Sequence, residues 1–196
     1  LASRTYRLSS APDSGKLAAD PQNLLRWRFD MRRLTAEEVR DSVLALSGKL
    51  NLDAGGPWVY PPLPAEVLAT ASRPGKGWPT NNNEADHYRR SIYVHVKRSL
   101  RHQMLLDFDQ AETDSPCAVR FATTVPTQAL AMLNSEFTNR QAELFARRLR
   151  AGSAKTVDDQ ISTALELALQ RPATAYEISK FQSLLTALKK DHGLDD

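Results

Sequence analysis

The chain contains a single cysteine, Cys117, among its 196 residues. One thiol cannot form an internal disulfide, and it excludes a metal site built from cysteine ligands alone. No Cys-x-x-Cys-His motif occurs, so this segment cannot itself attach a c-type haem. Arg120 lies near enough along the chain to favour a reactive thiolate at Cys117, but we expect a buried, inert thiol.

Long apolar runs are also missing. No stretch of about 18 apolar residues occurs, so we predict no membrane-spanning helix. The sequence shows no secretory leader and begins Leu-Ala-Ser without a methionine, so we expect it to be part of a longer polypeptide. A hydrophobic fraction of 41% and a charged fraction of 25% are typical of a globular protein with a true core.

Neither sign of charge dominates. The 26 basic residues are interspersed with 23 acidic ones, whereas nucleic-acid binders usually gather basic residues into a patch or an arm. We therefore do not expect a nucleic-acid partner. Arginine outnumbers lysine 18 to 8, which favours forked pairing with carboxylate, sulfate or phosphate groups.

Helix-start signals recur along the chain. Thr35 and Glu38 have the spacing of a capping box, and Gly48 provides a stop, which predicts a helix over residues 36–47. Its predicted core stripe consists of Val39, Val43, Leu44 and Leu46. Further helices are predicted from Pro126, after Asn134 or Ser135, from Thr156 or Val157, and after a second capping box at Thr174 and Glu177.

Residues 51–88 hold six of the 11 prolines and four of the eight glycines, so they predict a long loop, with a short helix at 65–71. Residues 91–96 are predicted to form a short extended segment. The predicted fold is mostly α: an irregular helical domain with a long Pro/Gly-rich wrapping loop and at most a short extended segment. We expect a single domain over 1–196, with a loop-rich helical core at 1–150 and a C-terminal helical hairpin at 157–190.

Carboxylates and imidazoles concentrate in the middle of the chain. Asn-Glu-Ala-Asp-His at 83–87, with His95 and His102, has the composition of a metal site but no known ligand spacing, and we expect no metal. A pair of aspartates flanking Phe108 would face one side of an extended segment, as acid/base chemistry requires. The acid/base candidates are Asp86, His87, Asp107 and Asp109, with solvation or pairing to arginine as the alternative.

A basic segment with interleaved tyrosines, residues 88–101, is the other candidate. Its cations either bind an anionic ligand or tie the loops of the fold together. We expect Arg90 to be buried and structural. The anion-binding candidates are Arg89, Arg98 and Arg101, with an anionic polysaccharide as the partner.

Ordered motifs along nearly the whole chain carry a family resemblance. They include SRTYRLSS (3–10), DPQNLLRWR (20–28), RRLTAEEVRDSVLALSGKL (32–50), GGP (55–57), YRRSIYVHVKRS (88–99), LLDFD (105–109), SPC (115–117), TTVPTQALAMLNSEF (123–137), QAELFARRL (141–149) and ALQRPATAYE (168–177). The chain resembles the C-terminal domain of unknown function of large planctomycete-type proteins. There it follows another domain of unknown function and often an N-terminal cytochrome-c-like domain.

The resemblance implies an exported, extracytoplasmic protein with upstream domains in the same polypeptide, and it supplies no catalytic residue. No cofactor is expected in this chain, and any c-type haem would lie in an upstream domain. We predict a non-catalytic binding or assembly module. The alternatives are an enzyme acting on an anionic carbohydrate through an Arg/Asp/His site and, less favoured, a nucleic-acid-binding domain.

Overall fold

The computed structural model describes residues 3–70, 77–114 and 116–193. Helices account for the regular structure of these residues. They are α1 (Ser14–Ala19), α2 (Ala36–Ser47), α3 (Ala65–Ala69), α4 (Glu84–His87), α5 (Gln103–Asp107), α6 (Pro126–Asn134), α7 (Glu136–Ala151), α8 (Val157–Leu169) and α9 (Ala175–His192), with a 3-10 turn at Ser91–Tyr93. The mostly α prediction is confirmed.

The chain divides into two compact units between Leu34 and Thr35. In the first unit, the ring of Tyr6 meets that of Phe29 edge-on at 5.7 Å. The Asn23 side chain closes a turn by donating to the Arg28 carbonyl at 3.0 Å. The expectation of a single domain over 1–196 stays a prediction.

The second unit is organised around α2, which contacts α5, α7 and the 3-10 turn. Helix α6 lies against α5 and α7, and α8 contacts both α7 and α9. The apolar core lies mainly between α2 and the loop segments rather than between long helices. Its buried members are Ala36, Val59, Leu63, Trp78, Val94, Leu100 and Leu105.

The predicted helix ends are confirmed where capping chemistry is local. The Thr35 hydroxyl accepts from the Glu38 backbone N–H at 3.3 Å, and the Glu38 carboxylate accepts from the Thr35 N–H at 2.8 Å. The box at Thr174 and Glu177 forms in the same way at the start of α9. Each cap satisfies backbone donors that the helix itself leaves unpaired.

The core-facing stripe of α2 differs from the predicted one. Its buried residues are Ala36, Arg40, Leu44 and Ser47. Val39, Val43 and Leu46 are only partly buried, so of the predicted stripe only Leu44 is fully buried. The apolar pattern misled because the face turned towards the core accepts Arg40 and Ser47. The terminal guanidinium nitrogens of Arg40 and the Ser47 hydroxyl form hydrogen bonds there, whereas the Arg40 Nε has no partner.

The prediction of an extended segment at 91–96 is wrong over its first half. Residues Ser91–Tyr93 form a 3-10 turn, because the Asp41 carboxylate accepts from the Ser91 N–H at 2.8 Å and fixes the start of the turn. Within the described residues, β structure is limited to isolated bridges, such as Val59 with Val94. No described helix is both long and apolar enough to cross a membrane.

The loop predicted at 51–88 contains α3 and α4 and is fastened from inside. The buried Trp78 indole N–H donates to the Pro61 carbonyl at 2.7 Å. Asn81 accepts from the Tyr60 N–H at 2.6 Å. The predicted short helix is found at Ala65–Ala69, and residues 71–76 of the loop lie outside the described residues.

Gly48 ends α2 with a φ of +75°, in the left-handed region that side chains disfavour. We expect Gly48→Ala to destabilise the protein by about 1 kcal/mol. Gly15→Ala is the control, because Gly15 lies within α1 at an ordinary φ and alanine is the better helix former there. Urea denaturation measures both. A Gly48→Ala variant as stable as the wild type would contradict the left-handed conformation of Gly48.

Candidate functional site

The candidate site is built on a buried arginine that the sequence analysis did not identify. Arg40 in α2 is fully buried. Its guanidinium donates to the carbonyls of His87 at 2.7 Å and Arg89 at 3.0 Å, and to the Ser91 hydroxyl at 3.1 Å. It also lies over the Phe137 ring, 5.7 Å from the centroid. One charge therefore holds the whole 87–91 segment against α2.

Burial lowers the pKa of Arg40 to about 10, and the neighbouring Asp41 carboxylate opposes that shift. The side chain is thus still protonated at neutral pH. Asp41 is 3.8 Å from Arg40, and it also accepts from the Ser91 hydroxyl at 2.7 Å. The sequence did hold a signal for this role: Arg40 lies four residues from both Ala36 and Leu44, on the same helix face.

Beside this network lies a cleft of about 480 Å³, within the size range of small-molecule sites. Its walls come from α3, α5, α6, α7, the proline-rich 61–64 segment, and residues 87 and 88. The apolar lining includes Leu63, Met104, Phe108, Met132 and Phe137. The charged or titratable lining comprises Glu66, His87, Tyr88, His102, Asp107, Glu136 and Arg140.

His102 is the most perturbed group of the cleft lining. It is only 6% exposed, its ring meets Phe137 edge-on at 6.3 Å, and its Nδ1 has no hydrogen-bond partner. Burial lowers the pKa of His102 to about 3, and the nearby positive charge of Arg40 lowers it further. The imidazole is therefore neutral at physiological pH, with one ring nitrogen available as an acceptor.

Tyr88 and Glu84 form a hydrogen-bonded pair at the edge of the cleft. The Tyr88 hydroxyl donates to the Glu84 carboxylate at 2.7 Å. This bond lowers the pKa of Glu84, and burial together with the carboxylate raises the pKa of Tyr88. Glu84 is thus ionised and Tyr88 neutral at physiological pH.

A family model described as PSD1, protein of unknown function (DUF1553), matches residues 1–185. The chain belongs to this family. Neither the comparison with curated proteins nor that with solved structures finds a match. The part of the resemblance that concerns a domain of unknown function is thereby confirmed.

The acid/base candidates of this PSD1 domain are only partly brought together. His87 and Asp107 both line the cleft, where Asp107 accepts from Gln103 at 2.7 Å. Asp86 accepts from the Asn81 amide at 3.2 Å, and Asp109 accepts from the Thr123 N–H at 2.7 Å. Among the described residues, the lining of the cleft includes neither Asp86 nor Asp109: Asp86 bonds a residue of its own loop, and Asp109 joins Thr123, 14 residues along the chain. An acid/base role for these residues stays a prediction.

Arg89 is buried, and its two terminal guanidinium nitrogens bond loop carbonyls, whereas its Nε has no partner. Its guanidinium donates to Pro57 at 3.0 Å, to Asp53 at 3.3 Å and to Gly55. It also stacks on Tyr93, 3.9 Å from the ring centroid. These contacts tie the 53–57 turn to the rest of the unit.

Arg98 and Arg101 occupy different environments. Arg98 is exposed, paired with Asp114 at 2.8 Å, and it donates to the Thr113 carbonyl at 3.1 Å. Arg101 is partly buried, and its Nη1 is enclosed without a hydrogen-bond partner. Anion binding at Arg89, Arg98 and Arg101 stays a prediction.

Two expectations about burial are wrong. The Arg90 side chain is 56% exposed, 3.8 Å from Asp41, because α2 already fills the interior at this place with Arg40. Cys117 is exposed as well, and it lies in a loop whose apolar residues Val119 and Phe121 are themselves more than 80% exposed. Within the described part of the chain, the apolar neighbours that could have covered the thiol are therefore themselves exposed.

The histidines of the suggested metal composition have different partners. The His87 ring bonds the Asn81 carbonyl at 2.7 Å, whereas His95 stacks on Tyr60 with ring centroids 4.7 Å apart. In residues 3–70, 77–114 and 116–193, no three His, Cys, Asp or Glu side chains are placed to share a metal ion.

Proposed function

We propose that this PSD1 domain is a non-catalytic assembly module that associates through the apolar face of α9. The single observation that carries the proposal is the exposure of this face. Helix α9 spans 18 residues, or about 27 Å, and contains no buried residue. A solvated apolar stripe of that length is typical of a protein–protein contact.

The stripe has the spacing of a coiled-coil seam. Ile178, Phe181, Leu185 and Leu188 recur at alternating intervals of three and four residues, and Leu184 lies beside them. Phe181 and Leu188 are 42% and 43% exposed, although α9 already contacts α8. One side of the seam is therefore unpartnered within the described chain.

A second copy of the chain is the occupant that we propose. Two seams of equal period can pack against each other, and a second copy of the chain has an identical seam. Lys189, Lys190 and His192 lie in the last turn of α9. A parallel pair would bring these basic ends together, whereas an antiparallel pair separates them and opposes the two helix dipoles. We therefore infer an antiparallel, two-fold symmetric contact.

The wider setting of the proposal comes from the resemblance. The module would belong to a larger exported polypeptide of planctomycete type, and its upstream domains would carry any c-type haem. Assembly of such polypeptides through their C-terminal domains is the role that we assign to α9. The anionic polysaccharide suggested by Arg98 and Arg101 is a separate expectation that the α9 contact does not require.

Light scattering coupled to gel filtration tests the proposal. We expect the wild-type chain to have twice its monomer mass of 21.9 kDa. The double variant Leu184→Glu/Leu188→Glu should return to the monomer mass, because four carboxylates would enter one apolar contact. Ser183→Glu is the matched control, since Ser183 is exposed outside the seam, and it should remain dimeric.

Two outcomes would refute self-association through α9. One is a monomer mass for the wild type at every concentration. The other is a dimer that survives Leu184→Glu/Leu188→Glu. Far-ultraviolet circular dichroism of each variant checks that α9 stays helical, so that loss of the helix is not mistaken for loss of the contact.

A further inference from the structure

We propose that the cleft between α5, α6 and α7 binds a small organic cation with an apolar body, such as an aromatic amidine or amine. This site is independent of the α9 face. Three properties of the cleft support the inference: its shape, the sign of its charge and an unpartnered polar group.

The shape and surface of the cleft suit an apolar body of one or two rings. A volume of about 480 Å³ accommodates such a molecule. The rings of Phe108, Phe137 and Tyr88 line it together with Met104 and Met132. Aromatic faces attract cations as well as apolar groups, because the ring quadrupole is negative over the face.

The charge of the cleft is opposite to that of the whole chain. The sequence has a formal net charge of +3, yet the cleft lining contains three carboxylates and one guanidinium. Glu66 and Glu136 are exposed, and neither forms an ion pair with another described residue. The exposed carboxylates of the lining raise the concentration of cations at the cleft. The buried Arg40, whose positive charge acts on His102, opposes this effect near that imidazole.

The polar group is His102, which lines the cleft at 6% exposure with an unbonded Nδ1. The Nδ1 atom is enclosed, and without a partner it carries a desolvation cost. An N–H donor of the ligand would remove that cost once the ring turns to present Nδ1 to the cleft. Amidines and amines supply such donors, whereas carboxylates do not. The same imidazole stays neutral at physiological pH, since burial holds its pKa at about 3.

Arg140 favours the competing hypothesis, in which the cleft binds an anion. It is exposed at the cleft and would attract a carboxylate or phosphate if the site were made for anions. The cation and anion hypotheses predict opposite effects of ligand charge on affinity. They also predict opposite effects of removing Arg140, so binding measurements distinguish them.

The experiment is a nuclear magnetic resonance titration of the full chain with three planar probes of equal size: benzamidine, benzamide and benzoate. We expect benzamidine to shift the amide signals of the cleft and the imidazole signal of His102, and to bind about tenfold more tightly than benzamide. Benzoate should cause no saturable shift. Equal binding of benzamide, or preferential binding of benzoate, would overturn the proposal.

Surface variants give the second test. Glu66→Gln/Glu136→Gln should weaken benzamidine binding about tenfold, while Arg140→Gln should strengthen it. Glu112→Gln neutralises an exposed glutamate outside the cleft lining and should leave the affinity unchanged. All four positions are exposed, so these variants should keep the fold. Unchanged affinity in the double glutamine variant, or weaker binding in Arg140→Gln, would refute the cation site.

Discussion

Replacing Arg40 by methionine should destabilise the protein by about 3–5 kcal/mol, the range for breaking a buried charged contact by removing one partner. Methionine is apolar and can fill much of the same space, so the loss comes mainly from polar groups. The carbonyls of His87 and Arg89 and the Ser91 hydroxyl would all lose a donor in a dry interior. Urea denaturation at pH 7 measures the change as a lower midpoint.

Two matched variants isolate the reason. Arg40→Lys keeps the charge but cannot reproduce the fork of a guanidinium, so its stability should fall between wild type and Arg40→Met. Arg90→Met removes a neighbouring arginine that is 56% exposed, and we expect a change of about 1 kcal/mol or less. If Arg40→Met were as stable as Arg90→Met, the Arg40 network would not be what holds the 87–91 segment.

The sequence predicted best those features that depend on near neighbours. The boxes at Thr35–Glu38 and Thr174–Glu177 close within one helical turn, so four consecutive residues contain all the information. The same holds for Pro126 in the first turn of α6 and for Gly48 after α2. Composition was sufficient to predict a mostly α fold with a long loop.

Features that join distant segments were not predictable in this way. The position of Arg40 on the helix face of Ala36 and Leu44 is a local signal for burial, but its hydrogen-bond partners lie 47 to 51 residues along the chain, where local sequence does not reveal them. Arg148 likewise closes the end of α2 from 102 residues away, by donating to the Leu46 carbonyl at 2.7 Å. Which arginine becomes buried is decided by the tertiary packing.

The cleft also combines residues that the sequence identified with residues that it did not. Sequence reasoning identified His87 and Asp107 as candidates, and both line the cleft. It did not identify Glu66, Glu136 or Arg140, because these residues come from two separate helices and meet only after α3 and α7 are placed. His102 was noticed as a possible metal ligand, but its burial beside Arg40 follows from the packing of α5 on α2.

Acidification from pH 7 to pH 5 should destabilise the protein through His102. In the unfolded chain this histidine takes up a proton near its usual pKa of 6.5, while in the folded protein burial holds its pKa at about 3. Between these values the unfolded state binds more protons, so the free energy of unfolding falls as the pH falls. The slope approaches about 1.4 kcal/mol per pH unit below pH 6.5, and the total loss between pH 7 and pH 5 is about 2 kcal/mol.

Urea midpoints test this expectation when they are measured between pH 7.5 and pH 5 at constant ionic strength. This pH range lies above the usual carboxylate pKa values. In His102→Leu, the pH dependence of the unfolding free energy should be weaker by the contribution of about one proton. This holds whatever the absolute stability of the variant, because the slope depends only on the difference in bound protons between the unfolded and folded states. His192→Gln also removes one histidine, but that residue is exposed at the end of α9, so the wild-type slope should remain. Equal slopes for His102→Leu and wild type would refute the assignment.

If His102→Leu does not fold, the imidazole signals of the wild type decide instead: His102 should stay neutral at pH 5, because protonation there would place a second positive charge beside the buried Arg40.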